Sequence, residues 1–325
     1  MKRIITIILM LFLSLLQSAF GQNNISKGDS LKNEGLLMPA LMQYAGTMTQ
    51  NPSAELSYKI ASTTALMWTS QMRDTSFYFL NIALQKDSTL TPLYDPDFLS
   101  LINDPHWQKI EDNQFKKYEA KNGTIKNKPF ARALFRMIIK DQGFMYAGNI
   151  ERKKYIKNGG YFSTPAIFPV LAMEEKNKAE NEELLPKLLD KYGWPSATEV
   201  TEYAAAGAAL IINHADHALR VKYFPMLEKA FKKGEAQPLR YAKMKDRLLI
   251  EEGKKQLYGT QTRYVNMHPV LYAIKDPQHV DKRRAEVGLG LLKPYLKKKF
   301  NIDWNLEEQI KRSKEFEKER SQKNR

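Results

Sequence analysis

An acid and a base stand side by side at Asp246-Arg247, and the chain beyond them gathers Gln256, Tyr258, Gly259, Thr260 and Gln261 within one short stretch. Arg247 can fix an anionic group with its planar fork, while Asp246 can position a base or a backbone turn. The ordinary reading is two separate ion pairs, with Arg247 meeting Glu251 one helical turn on. An amide, a phenol and a hydroxyl on one strand face suit recognition of a neutral polar group such as a sugar or a peptide amide. They suit cross-strand hydrogen bonding equally well.

A second constellation, His214-Ala215-Asp216-His217, closes an alanine-rich stretch. Its two histidines share a face if the helix runs on. Three roles stay open: an imidazole pair completed by Asp246 or Asp141 around a metal, a general-base histidine oriented by a carboxylate, and a helix C-terminal cap. No spacing in the chain demands a metal, so no metal ligand is assigned and the cofactor is left open. A hydrolytic mechanism would use His214 as base beside Asp216 and Asp246, with Arg247 stabilising developing negative charge. The chain has no cysteine, no Gly-x-Ser-x-Gly elbow and no phosphate-binding glycine loop, which removes weight from common enzyme classes.

The elements that must position these groups are helical. Apolar residues recur at helical spacing from Leu31 to Thr47, and Asn51-Pro52-Ser53 gives a stop followed by a helix start. Helices over about Ala54–Thr69 and Thr75–Gln85, the first with Trp68 on its apolar stripe, should pack antiparallel across a short link. With small residues at Ala61 and Ala83 and Asp74 near the second start, this pair resembles one tetratricopeptide-type hairpin. Asp95, Asp97 and Asp104 read as helix caps rather than calcium ligands, since no bend glycine or bidentate glutamate accompanies them. Further helices are expected over Phe130–Ala147, over Lys178–Lys191 and through Ala204–Ile212, the last capped by Ser196 or Thr198. Six small residues in a row there let a neighbouring helix come close. Gly253 should end the Asp246 helix in a left-handed turn. Gln256–Gln261 and Val270–Ile274 alternate as a small antiparallel hairpin. The segment from Leu306 reads as a solvated helix with no site.

Met1-Lys2-Arg3, the apolar run Ile4–Leu16 and Ala19-Phe20-Gly21 read as a secretory signal peptide cleaved after Gly21. The run is too short for a membrane span, so no transmembrane anchor is expected after cleavage. Cleavage leaves 304 of 325 residues and lowers the formal charge from +15 to +13. The product would be periplasmic or secreted, which makes nucleic acid the weakest of the partners that a basic protein can have. Lys297-Lys298-Lys299 forms a tight basic cluster.

From Gly193 onward the motifs accumulate in order. They are Gly193-Trp194-Pro195, the alanine-rich helix ending in His214-Ala215-Asp216, Gly234-Glu235, Asp246-Arg247, Gly253, Gln256, and Tyr258-Gly259-Thr260-Gln261. Val280-Asp281, Arg284-Ala285-Glu286-Val287-Gly288-Leu289 and Tyr295 follow, and Asp141-Gln142 marks an earlier helix. Together they resemble DUF6624, a family of uncharacterised bacterial domains, over about residues 130–298. The resemblance implies a polar site without naming a reaction, and adds Arg284 to the candidate ligand-binding set. Arg220 and Met145 stand where it implies glutamine and arginine.

The expected fold is mainly α: an N-terminal tetratricopeptide-like helical hairpin unit and a helical C-terminal domain with one small β-hairpin. The expected boundaries are a signal peptide at 1–21, the helical region at 22–120, a linker at 121–129, the DUF6624-like domain at 130–300 and a charged tail at 301–325. Two functions fit. One is a binding module that takes a polar small molecule, glycan or envelope partner through Gln256, Tyr258, Gly259, Thr260, Gln261 and Arg284, its N-terminal helices docking a protein. The other is the hydrolase built on His214, Asp216, Asp246 and Arg247.

Overall fold

The structure, a computed structural model, describes residues 24–160, 167–265 and 268–323. The signal-peptide segment and part of the loop after Asn158 lie outside the described residues. The fold is mainly helical with a single small antiparallel β-hairpin among the described residues. No described helix is long and apolar enough to cross a membrane.

Two compact units are present. The first comprises the described residues up to Thr124 with those of Phe135–Asn177; the second comprises Ile125–Leu134 with the described residues from Lys178 onward. The helices Lys128–Gln142 and Ile167–Tyr192 contribute residues to both.

In the first unit the helical hairpin is formed by Ala54–Ala65 and Ser70–Ala83. Ser53 caps the first helix by accepting from Leu56 N at 3.1 Å. Thr69, not a residue near Asp74, caps the second. Ala61 and Ala83 are both buried, and Ser76 Oγ donates to the Ala61 carbonyl at 2.7 Å across the pair. Trp68 leaves the apolar stripe expected of it: it sits in the link at φ +59° and is 52% exposed. The helix stops at Ala65, so the stripe ends before position 68 is reached. Ala40, Leu41, Tyr44, Leu56 and Ile60 form a core here. Asp95 and Asp104 act as caps, accepting from Asp97 N at 3.0 Å and His106 N at 2.9 Å.

In the second unit the alanine-rich helix Glu202–His214 packs with Pro238–Glu251 and with His217–Lys232. Its N-cap is Thr201, at φ +93°, rather than Ser196, which caps the short turn Ala197–Val200 with a reciprocal Glu199 bond. A positive φ at a β-branched residue marks strain. The helix expected from Lys178 starts earlier, at Ile167, and carries Pro186 within it. The hairpin pairs Thr262–Val265 with His268–Leu271. It therefore lies beyond the Gln256–Gln261 segment, whose one ladder contact is a parallel bridge between Gln256 and Ile274.

The C-terminal helix Leu306–Lys323 is more than a solvated appendage. Gln309 and Ser313 are buried, Ser313 Oγ donates to the Ile274 carbonyl at 3.1 Å, and Lys255 bridges to Ser313 and Glu317. Its few uncharged positions fall on one face, which a charge count over the whole segment conceals.

Candidate functional site

The helix Pro238–Glu251 delivers Asp246 to the interior. Proline at its first turn lacks the amide that would go unpaired there, and Gly253, at φ +66°, ends it in the expected left-handed turn. Asp246 is 0% exposed. Its two oxygens accept from Leu257 N at 2.7 Å, Tyr258 N at 3.0 Å, Thr260 N at 3.0 Å and Thr260 Oγ1 at 2.9 Å. The carboxylate therefore folds the 257–260 backbone around itself, as an anion is held in a nest of amides. Burial raises its pKa above the ordinary carboxylate value, and these donors oppose the rise.

Gln256 fixes the same segment from its other end. Its side-chain oxygen accepts from Gln261 N at 2.9 Å, and its amide nitrogen donates to the carbonyls of Gln261 and Tyr272. Gln261 in turn donates to the Lys243 carbonyl at 3.1 Å. Tyr258 is buried in an aromatic cluster with Tyr241, whose ring stacks on Phe231 at 4.2 Å. Arg284, buried against the Tyr295 ring, donates to the Tyr258 and Gly290 carbonyls, both at 2.7 Å. Gly259 sits at φ +71°, where a Cβ would come within 2.8 Å of Leu292. The structure thus brings Asp246, Gln256, Tyr258, Gly259, Thr260, Gln261 and Arg284 together, with their polar atoms bonded to one another and to the local backbone.

The His214 group is arranged differently. The alanine-rich helix ends at His214, Ala215 is its C-cap, and Asp216 precedes a new helix, so His214 and His217 lie on separate helices. Arg247 donates to the Asn213 carbonyl at 2.8 Å, and Arg220 donates to the Ala215 carbonyl. Two guanidiniums thus satisfy the carbonyl end of the helix, where the dipole favours positive charge. Glu251 is held by Arg220 and by His217 Nδ1 at 2.8 Å, instead of by Arg247. Burial raises the Glu251 pKa, yet Arg220 and His217 bring it below the ordinary value. The unexpected Arg220 therefore has a place: it joins this carboxylate to the helix end. Asp216 pairs with Lys178 at 2.8 Å, which holds its carboxyl below the usual range. His214 itself is exposed. Among the described residues no group of three or more histidine, aspartate or glutamate side chains is placed to hold a metal ion. Met145 is exposed at the start of Met145–Lys157.

A further feature was not assigned from sequence. A hollow of about 20 Å³ is lined by Trp194, Glu202, Ala205, Ala206, Ala209, Glu235, Gln237 and Arg240 among others. Ala205, Ala206 and Ala209 are among its lining residues, and Gln237, which also lines it, donates to Glu202 at 3.0 Å. Thr201, with its strained backbone, adjoins it. The available signal was the run of small residues after Tyr203: part of it makes room for a small hollow instead of a neighbouring backbone.

No curated protein and no solved structure matches the chain. The matched span begins just beyond Asp141-Gln142 and takes in every motif from Gly193 to Tyr295: residues 143–303 match the model of a family of unknown function, DUF6624.

Proposed function

We propose that the chain is exported and that its DUF6624 domain is a binding module, whose polar ligand sets one small group into the hollow beside Trp194. The observation that carries this reading is the composition of that hollow. Trp194, Glu202, Glu235, Gln237 and Arg240 line it together with alanines, with room for about one water or hydroxyl-sized group. A glycan or a peptide amide meets such a rim with hydrogen bonds while its apolar face lies on the ring. The polar turn around Asp246 supports the hollow's helix, because its side chains are already engaged. Met38 and Met42, exposed on the N-terminal helix Leu37–Gln50, support a protein-docking role for the first unit.

The test is thermal stability against sugars and cell-wall fragments. A ligand at about 100 times its Kd stabilises by about 2.7 kcal/mol. Trp194→Ala and Glu202→Gln should abolish the gain while leaving the unliganded melting temperature nearly unchanged. A gain that survives both changes but is lost in Gln261→Ala would move the ligand to the polar turn. Export has its own check: intact mass of the protein recovered outside the cytoplasm should begin at Gln22, and retention of Met1 would refute it.

The hydrolytic alternative needs His214, Asp216, Asp246 and Arg247 to serve one reacting group. The bonds that Asp246 makes to the turn and Asp216 makes to Lys178 favour the binding reading. Turnover of any cell-wall fragment that is lost in His214→Ala would reverse that preference.

A further inference from the structure

The hollow runs along one flank of the helix Glu202–His214, where Glu202, Ala205, Ala206 and Ala209 recur at helical spacing. Tyr203 follows Glu202 and stands one turn before Ala206, which places their Cβ atoms about 5–6 Å apart. It is 60% exposed. A helical side chain leans over the turn that precedes it, and at position 203 the helix has no earlier turn for the ring to cover. The residue that begins the helix, Thr201, holds a φ of +93°, and backbone strain of this kind gathers at ligand sites. Two carboxylates, Glu202 and Glu235, against the one guanidinium of Arg240 leave the lining net negative, which opposes an anionic ligand. The carboxylates accept hydrogen bonds, while the guanidinium and the Trp194 indole donate them. A hydroxyl is donor and acceptor in one atom, and it fits the space.

We infer that the ligand is a neutral glycan chain of at least two sugar rings, one seated at Trp194 with a hydroxyl in the hollow and the next lying against Tyr203. This rests on the binding reading of the hollow and extends it along the ligand. A pyranose carries hydroxyls at its edge and C–H groups on its face, so a single ring engages the hollow and the indole. Only a longer chain reaches the tyrosine, whose exposed ring offers the next sugar an apolar face. Tyr203 is thus the residue that makes affinity depend on ligand length.

The purified chain is titrated by calorimetry with N-acetylglucosamine and with its β-linked dimer and tetramer. Glucose and cello-oligosaccharides of the same lengths form a second series, and a neutral tetrapeptide amide is titrated in parallel. Affinity within a sugar series should rise about tenfold from one ring to the longer chains. Tyr203→Ala should remove that rise, and Tyr203→Phe should keep it because the ring face survives. Trp194→Ala should lose binding at every length. Tyr203 is largely exposed, so both of its variants should melt within a few degrees of the parent. Equal affinity at all lengths, or a rise that Tyr203→Ala leaves intact, overturns the inference, while binding that Trp194→Ala abolishes still upholds the hollow. Binding of the peptide amide in place of the sugars has the same meaning. No binding of any probe, or parent-like binding by Trp194→Ala, overturns the reading of the hollow and this inference with it.

Discussion

Asp246→Asn is expected to destabilise the second unit by about 3–5 kcal/mol, the range for removing one charged partner from a buried, hydrogen-bonded arrangement. Four donors converge on the carboxylate, three of them backbone amides that no side-chain rearrangement can redirect. Asparagine keeps the volume but turns an acceptor into an NH₂ donor facing donors. The loss should appear as a lower urea midpoint with little change in slope, and as a melting temperature lower by roughly 10 °C. Thr260→Val removes only the hydroxyl, which donates to Asp246 at 2.9 Å and accepts from Gln261 Nε2 at 3.2 Å, and should lower stability by about 1–2 kcal/mol. A parent-like midpoint for Asp246→Asn would mean that the carboxylate does not organise the turn, and would return it to the candidates for catalysis.

Gly259→Ala should cost about 2–4 kcal/mol, from two causes that add. At φ +71° any L side chain is strained, and the new methyl would lie 2.8 Å and 3.0 Å from the Leu292 methyls and 3.2 Å from Ile274 Cδ1. Neither neighbour can retreat, because Leu292 and Ile274 are both fully buried in one core with Leu271, Val280 and Leu296. Denaturant unfolding of the variant checks the size of the effect. Gly253→Ala gives the comparison: it shares the left-handed backbone, at φ +66°, but has nothing within 4 Å of its Cβ position. It should lose only the conformational part, about 1 kcal/mol. Equal losses at the two glycines would show that the contact with Leu292 contributes nothing.

The helical class, the N-terminal hairpin and the presence of one β-hairpin were legible because each rests on near neighbours in the chain. Ser53 reaches Leu56 within a turn, and Asp95 and Asp104 reach amides two residues on. Gly253 needs only its own backbone. The location of the β-hairpin was not legible in the same way. Gln256–Gln261 alternates like a strand, but the amides of residues 257, 258 and 260 are taken by a carboxylate from another helix, so the strand begins at Thr262 instead. Alternation reports which side chains face together and carries no record of what the backbone amides bind.

By itself the sequence determined the list of polar residues that belong together from Asp246 to Gln261, and the order of the motifs that mark the DUF6624 domain. Only the tertiary structure decided what those residues do for one another. It turned Asp246 toward the turn and gave Glu251 to Arg220 and His217. It also opened the hollow at Trp194. The physical reason is range. Caps, turns and periodicity act within a few residues, whereas the partner of a buried charge is whichever group the packing of distant helices brings within about 3 Å.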